Sequence, residues 1–110
     1  MKLTIEGIYS LINTVESEAV KNPFLKYDVK FNHTVSGNTV TLNINGVVNC
    51  TDIIDYKIRF IPNSTCVFIY HTYDTPSYDE GYYDIILETQ EDIWSVGHTI
   101  EFLKHLIREV

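Results

Sequence analysis

Thr39-Val40-Thr41-Leu42-Asn43-Ile44-Asn45 alternates polar and apolar residues without a break, and Ile54-Asp55-Tyr56-Lys57-Ile58-Arg59-Phe60 does the same. Successive side chains of an extended chain point to opposite faces, so each stretch predicts a strand with one dry and one wet face. Working outward, Leu25, Tyr27, Val29 and Phe31 alternate with Lys26, Asp28, Lys30 and Asn32, which predicts a strand over 25–32. Ser36-Gly37-Asn38 and Pro62-Asn63-Ser64 supply turns. Residues 65–73 are apolar or aromatic on both parities, with Cys66, Phe68 and Tyr70 on one and Val67, Ile69 and Tyr73 on the other. That predicts a central strand covered on both faces. A last strand, 82–88, sets Tyr83, Ile85 and Leu87 against Asp84 and Glu88. Asn45-Gly46 is a strong two-residue hairpin signal. The reading prefers a bulge there, before a turn at 49–52, because the strand from 53 then starts cleanly after a polar cluster.

Both flanks change to helical spacing. Ile8, Leu11, Ile12, Val15 and Ala19 form one stripe of a helix over 4–21, with Thr4 as its cap. Asn22-Pro23 ends it, since the residue before proline leaves the α region. Residues 90–109 predict a second helix, with Ile93, Val96, Ile100, Leu103 and Ile107 buried and Thr89 and Asp92 as a capping box. The expected fold class is α+β, one domain over residues 1–110. An antiparallel meander of four or five strands is flanked by an N-terminal and a C-terminal helix packed on one face.

The chain has 110 residues with 15 acidic and 8 basic side chains, for a net charge of -7. Direct nucleic-acid binding is not expected, because phosphate recognition needs clustered Lys and Arg. No stretch of about 18 apolar residues could span a bilayer, and no secretory signal is seen, so a cytoplasmic location in a bacterial or phage-infected cell is expected. Ile occurs 14 times and Asn 8 times, against one Ala and two Arg. Residues with AT-rich codons dominate, which suggests a low-GC bacterial, phage or mobile-element genome.

Catalytic and metal constellations are weak. His98, Glu101 and His105 fall near one side of the second helix, but the two His lie about 10 Å apart along the axis. One ion does not bridge that with bonds of about 2.1 Å, so no metal and no cofactor are expected. Cys50 or Cys66 with His71 would make a thiol–imidazole pair, but nothing local marks either thiol as activated. Cys50 and Cys66 are read as ordinary buried or half-buried thiols rather than a disulfide. His33 is read as surface and His71 as a half-buried structural residue. There is no Gly-rich phosphate loop. No catalytic residue is assigned, and the chain is not expected to be an enzyme.

The unusual segment is 70–84. It holds five of the eight Tyr and four acidic groups, and no Lys or Arg. It is expected to be mostly the loop joining the last two strands. From 74 to 92 there are seven acidic residues and no basic one. Tyr offers large amphipathic contact area at low entropy cost, and the acids draw a basic partner. Tyr73, Asp74, Tyr78, Asp79, Glu80 and Tyr82 are the expected partner-binding residues, and a protein with a basic surface is the expected partner. The functional expectation is an acidic module that occupies another protein, as an inhibitor or immunity protein does. Phage or mobile-element anti-defence inhibitors, anti-CRISPR proteins among them, are the class the coding bias favours. Two alternatives stand beside it: an acidic chaperone-like homodimer holding a client segment, and a small enzyme with a pocket between helices and sheet.

Overall fold

The structure, a computed structural model, describes residues 1–21, 28–48, 52–79 and 82–107. Within these, the side chains at 20–21, 28, 47–48, 52–54, 73–79 and 82–88 are left out of the description. The order is α1 (Ile5–Lys21), β1 (Asp28–Ser36), β2 (Thr39–Val48), β3 (Asp52–Phe60), β4 (Cys66–Asp79), β5 (Tyr82–Ser95) and α2 (Val96–Leu106). The five strands form one antiparallel sheet in sequential order. The α+β meander with flanking helices is therefore as the alternation implied.

Pairing assigns each position a face. Phe31, Ile44, Tyr56, His71 and Gln90 lie in one row across the sheet, and His33, Leu42, Ile58, Ile69 and Asp92 in the next. This is the helix side. Ile8, Ile12 and Val15 of α1, and Val96, Leu103 and Leu106 of α2, share one core with Val40, Leu42, Ile44, Ile58, Phe60, Val67 and Ile69. Both helices thus cover the same face. Each large side chain so buried contributes about 1.5–3 kcal/mol. The other face carries the rows Asn32, Asn43, Lys57, Tyr70, Glu91 and Thr34, Thr41, Arg59, Phe68, Ile93. None of these ten residues belongs to the buried core.

Local chemistry fixes the ends. Thr4 Oγ1 accepts from the Gly7 N–H at 3.1 Å, capping α1 as its side chain suggested. Gly37 takes φ 60°, the left-handed backbone that a tight two-residue loop requires and glycine adopts at no steric cost. The turn after β3 holds Asn63 at φ 61°, and the Asn63 N–H donates to the Leu3 carbonyl at 2.8 Å. That bond ties the turn to the chain entering α1.

Four expectations are corrected. Asn45-Gly46 is neither turn nor bulge: β2 runs through it in unbroken register, Gly46 pairing with Val29 and Ile54. The expected turn at 49–52 lies outside the described residues except at Asp52, which begins β3. Strand β4 is not covered on both sides, since Val67 and Ile69 are buried while Tyr70 is 41% exposed and Cys66 lies open. The segment expected to be a loop is a long hairpin, because 74–79 pairs rung by rung with 82–87.

The fourth correction moves the start of the last helix. Residues 90–95 are strand, held by pairing with 66–71, and α2 begins only at Val96. Its cap is Ser95, whose Oγ accepts from the His98 N–H at 3.1 Å, rather than the Thr89 and Asp92 box. Ile93 therefore stands on the open face, 64% exposed, instead of in the core. The fully buried Thr99 adds a hydroxyl bond to the Ser95 carbonyl at 2.9 Å. Ser95→Ala is expected to cost about 1 kcal/mol, or about 4–8 °C in thermal unfolding. Thr89→Ala should leave the midpoint within a degree or two, and equal losses from both would restore the earlier helix start.

Candidate functional site

The β4–β5 hairpin is built from the two longest strands, 14 residues each. Strand β4 pairs with β3 only as far as Ile54–Tyr73, whereas its pairing with β5 continues to Asp79–Tyr82. Six further rungs, 74–79 against 82–87, thus have no third strand beside them among the described pairings. At about 3.4 Å per residue they form an arm roughly 20 Å long. The molecule measures 52 × 30 × 22 Å.

Of the expected partner-binding residues, Asp74, Tyr78, Asp79 and Tyr82 fall on this arm and Tyr73 at its root. Its backbone pairing puts the positions of Tyr73, Asp79 and Tyr82 on the helix side of the ribbon, and those of Asp74 and Tyr78 on the open side. Their side chains and the whole of Glu80 lie outside the described residues. A ribbon presents both faces, so a partner reaching all these positions has to clasp the arm rather than rest against it.

Two described clusters flank the root of the arm. On the helix side, the His71 ring stacks on Tyr56 with centroids 4.9 Å apart and planes 6° from parallel. His71 Nε2 lies 3.9 Å from Asp92 Oδ2, and Gln90 Nε2 donates to the same oxygen at 3.2 Å. Phe102 of α2 touches both Tyr56 and Trp94 with centroids 5.0 Å away, and Trp94 meets His98 edge-on. His71 is the half-buried residue the sequence suggested. His33 is not a plain surface residue: its Nδ1 is 2.6 Å from Glu16 Oε1, which joins β1 to α1.

Burial, and then the negative charge of Asp92, push the Tyr56 hydroxyl above its ordinary pKa. The fold favours the neutral phenol, so this stability is complete below the unfolded value near 10 and declines as pH rises past it. The parent should lose more stability than Tyr56→Phe between about pH 9 and about pH 11, measured by urea midpoints. Equal losses would show that Tyr56 does not carry the effect.

On the open side, Lys57, Arg59, Phe68, Tyr70, Glu91 and Ile93 line a shallow groove of about 750 Å³. The Arg59 guanidinium lies 5.0 Å from the Phe68 ring centroid, a cation–π contact. Lys30 shares this face, in a row with Asn45 and Asp55. Turned so that its nitrogen faces Asp55, the Asn45 amide donates to Asp55 Oδ1 at 2.7 Å. Alternation in the sequence puts Lys26, Lys30, Lys57 and Arg59 on the wet faces of their strands, and Lys26 lies outside the described residues. The sequence reading misses Phe68, Tyr70 and Ile93, because it takes that side of β4 as covered and Ile93 as helical.

The chemistry considered for catalysis is separated by the sheet. Cys66 is a free thiol, exposed rather than buried or half-buried because it sits on the open face, and His71 lies five residues along the same strand, hence on the opposite face. Cys50 lies outside the described residues. His98 and His105 are both exposed on α2, and no group of three or more His, Cys, Asp or Glu among the described residues could hold a metal ion. No helix among the described residues is long and apolar enough to cross a membrane. Compared with family models, curated proteins and solved structures, the chain finds no match.

Proposed function

We propose that this chain is a non-catalytic protein-binding module that engages a basic surface of another protein through its β4–β5 arm. An inhibitor or immunity protein works in this way, and the coding bias favours a phage or mobile-element origin. One observation carries the reading: the base-free run from 74 to 92 lies on a hairpin whose outer six rungs stand clear of β3. An isolated two-stranded ribbon is marginal in water. Its extension is costly unless something is gained at the tip, and a tyrosine-rich acidic ribbon suits a cationic partner.

The test compares capture from bacterial lysate by the parent and by Asp79→Lys/Glu80→Lys, at low and high salt. A basic protein retained stoichiometrically by the parent at low salt and lost from the variant supports the reading. Identical capture by both removes the arm from the interface. A second reading, an acidic homodimer that holds a client segment, is favoured by the open sheet face, whose described apolar groups Phe68, Tyr70 and Ile93 neither α1 nor α2 buries.

A further inference from the structure

The open face of the body carries its charge in rows. Strand pairing sets Lys57, Tyr70 and Glu91 side by side across β3, β4 and β5, and Arg59, Phe68 and Ile93 in the next row. Each strand thus contributes its own chemistry to the shallow groove of about 750 Å³: cations from β3, aromatic rings from β4, and an acid beside an aliphatic group from β5. Lys57, Arg59, Tyr70, Glu91 and Ile93 are exposed, and Phe68 is half-buried. Among the described residues, ion pairs join His33 to Glu16, His71 to Asp92 and Lys104 to Glu101, and neither Lys57 nor Arg59 pairs with a carboxylate. The chain has 15 acidic side chains against 8 basic ones, yet these two adjacent cations have no counter-charge there. Arg59 is already held over the Phe68 ring at 5.0 Å. A guanidinium stacked on a ring keeps its in-plane N–H donors open to a carboxylate.

We infer that this groove takes an extended peptide segment with carboxylates at alternate positions. Alternate residues of an extended chain lie on one side, about 6.8 Å apart. Lys57 and Arg59 are alternate residues of one strand and share that spacing. A segment laid along β4, over the Tyr70 and Phe68 rings, turns two acids towards β3. The residues between them turn towards β5, about 9–10 Å across the sheet from β3. There Glu91 calls for a basic group and Ile93 for an apolar one. Read along β3, the complementary pattern is acid, base, acid, apolar. A polyanion such as single-stranded nucleic acid fits less well, because Glu91 lines the far side and the chain's net charge of -7 repels it. The site lies on the body of the sheet, and it needs neither the arm's basic partner nor the homodimer of the second reading.

The probe is the end-blocked pentapeptide Leu-Glu-Lys-Glu-Leu, which presents that pattern in either direction along the groove. Its counterpart Leu-Lys-Glu-Lys-Leu carries the reverse charges. General attraction to an acidic chain favours the counterpart, so a preference for the first peptide reports the groove. An amide-shift titration of the isotope-labelled full chain should show the first peptide bound roughly tenfold more tightly or better, with shifts centred on Lys57, Arg59, Tyr70 and Glu91. Lys57→Glu/Arg59→Glu changes two exposed residues and should reverse the preference. Lys104→Glu makes a like charge change on α2 and should keep it. Asp79→Lys/Glu80→Lys should keep it too, so a failed lysate capture by the arm and a failed groove are told apart. Equal binding of the two peptides, preference for the lysine-rich one, or no shift at about 5 mM peptide, past the millimolar end of specific affinity, overturns the inference. So does tighter binding of a thymidine pentanucleotide at the same amides, which would make the face a base-stacking platform. The comparison of the two peptides on the parent chain stands whatever the variants do to folding.

Discussion

Leu103→Ala is expected to lower the unfolding free energy by about 2–5 kcal/mol. Leu103 is fully buried where α2 meets the sheet, sharing the core with Ile58 and Ile69. Removing its side chain forfeits the transfer energy of the lost methyl groups and leaves a cavity that a sheet backed by two helices cannot collapse to fill. Small domains are stable by about 5–15 kcal/mol in total, so this one truncation takes a large share. The informative comparison is Ile93→Ala. A helix over 90–109 would make the two residues members of one buried stripe with similar costs. The structure sets Ile93 on the open face, so its truncation should stay within about 0.5 kcal/mol at concentrations low enough to keep chains apart. Urea unfolding of the two variants side by side decides it. A large loss from Ile93→Ala would return 90–95 to the helix, and a small loss from Leu103→Ala would remove α2 from the core.

The strands that sequence alone makes legible are those with one wet face. In β2 and β3 every second residue is polar, and a one-residue slip in pairing would bury Lys57 and Arg59 and expose Ile58 and Phe60. The hairpin arm is hard to see for the opposite reason. Pro76, with acids and tyrosines around it, has the composition of a loop, and only its pairing with Ile85 makes it strand. Proline lacks the N–H that an inner strand must donate, and a ribbon with a free side tolerates it. The boundary at Ser95 is hidden by coincidence. Ile93, Val96 and Ile100 happen to follow helical spacing, and Glu91 and Asp92 resemble first-turn acids. What overrides them is the long-range pairing of 89–95 with 66–72, which no local pattern reports. Asn45-Gly46 fails as a turn because both its neighbouring strands continue past it. The candidate interface is half legible: its acids and tyrosines are visible in composition. Their division between two faces of a ribbon needs the register.

Reversing charge at the arm's tip is expected to change binding more than any other surface substitution. Asp79→Lys and Glu80→Lys together move the local charge by four units in a stretch with no basic residue between 74 and 92. Opposite charges steer encounter over distances set by the Debye length, about 10 Å at 0.1 M salt. A partner's association rate should therefore fall roughly ten- to a hundredfold at low ionic strength, and the gap should close as salt rises. Affinity anchored by a desolvated aromatic behaves differently. Tyr78→Ala should cost about 2 kcal/mol, close to thirtyfold, mainly as faster dissociation and with little salt dependence. Neither change touches the core formed by α1, α2 and the inner strands, so thermal midpoints should hold. Surface plasmon resonance against a captured basic protein, run at two salt concentrations, separates the two signatures. If Asp79→Lys/Glu80→Lys associates as fast as the parent at low salt, the acids serve solubility alone. If Tyr78→Ala also dissociates no faster, the arm is not the recognition element, and binding must be sought on the open face that bears Lys30, Lys57 and Arg59. A ligand found there would be acidic, and its salt dependence would be lost with Lys57→Glu rather than with changes at the tip.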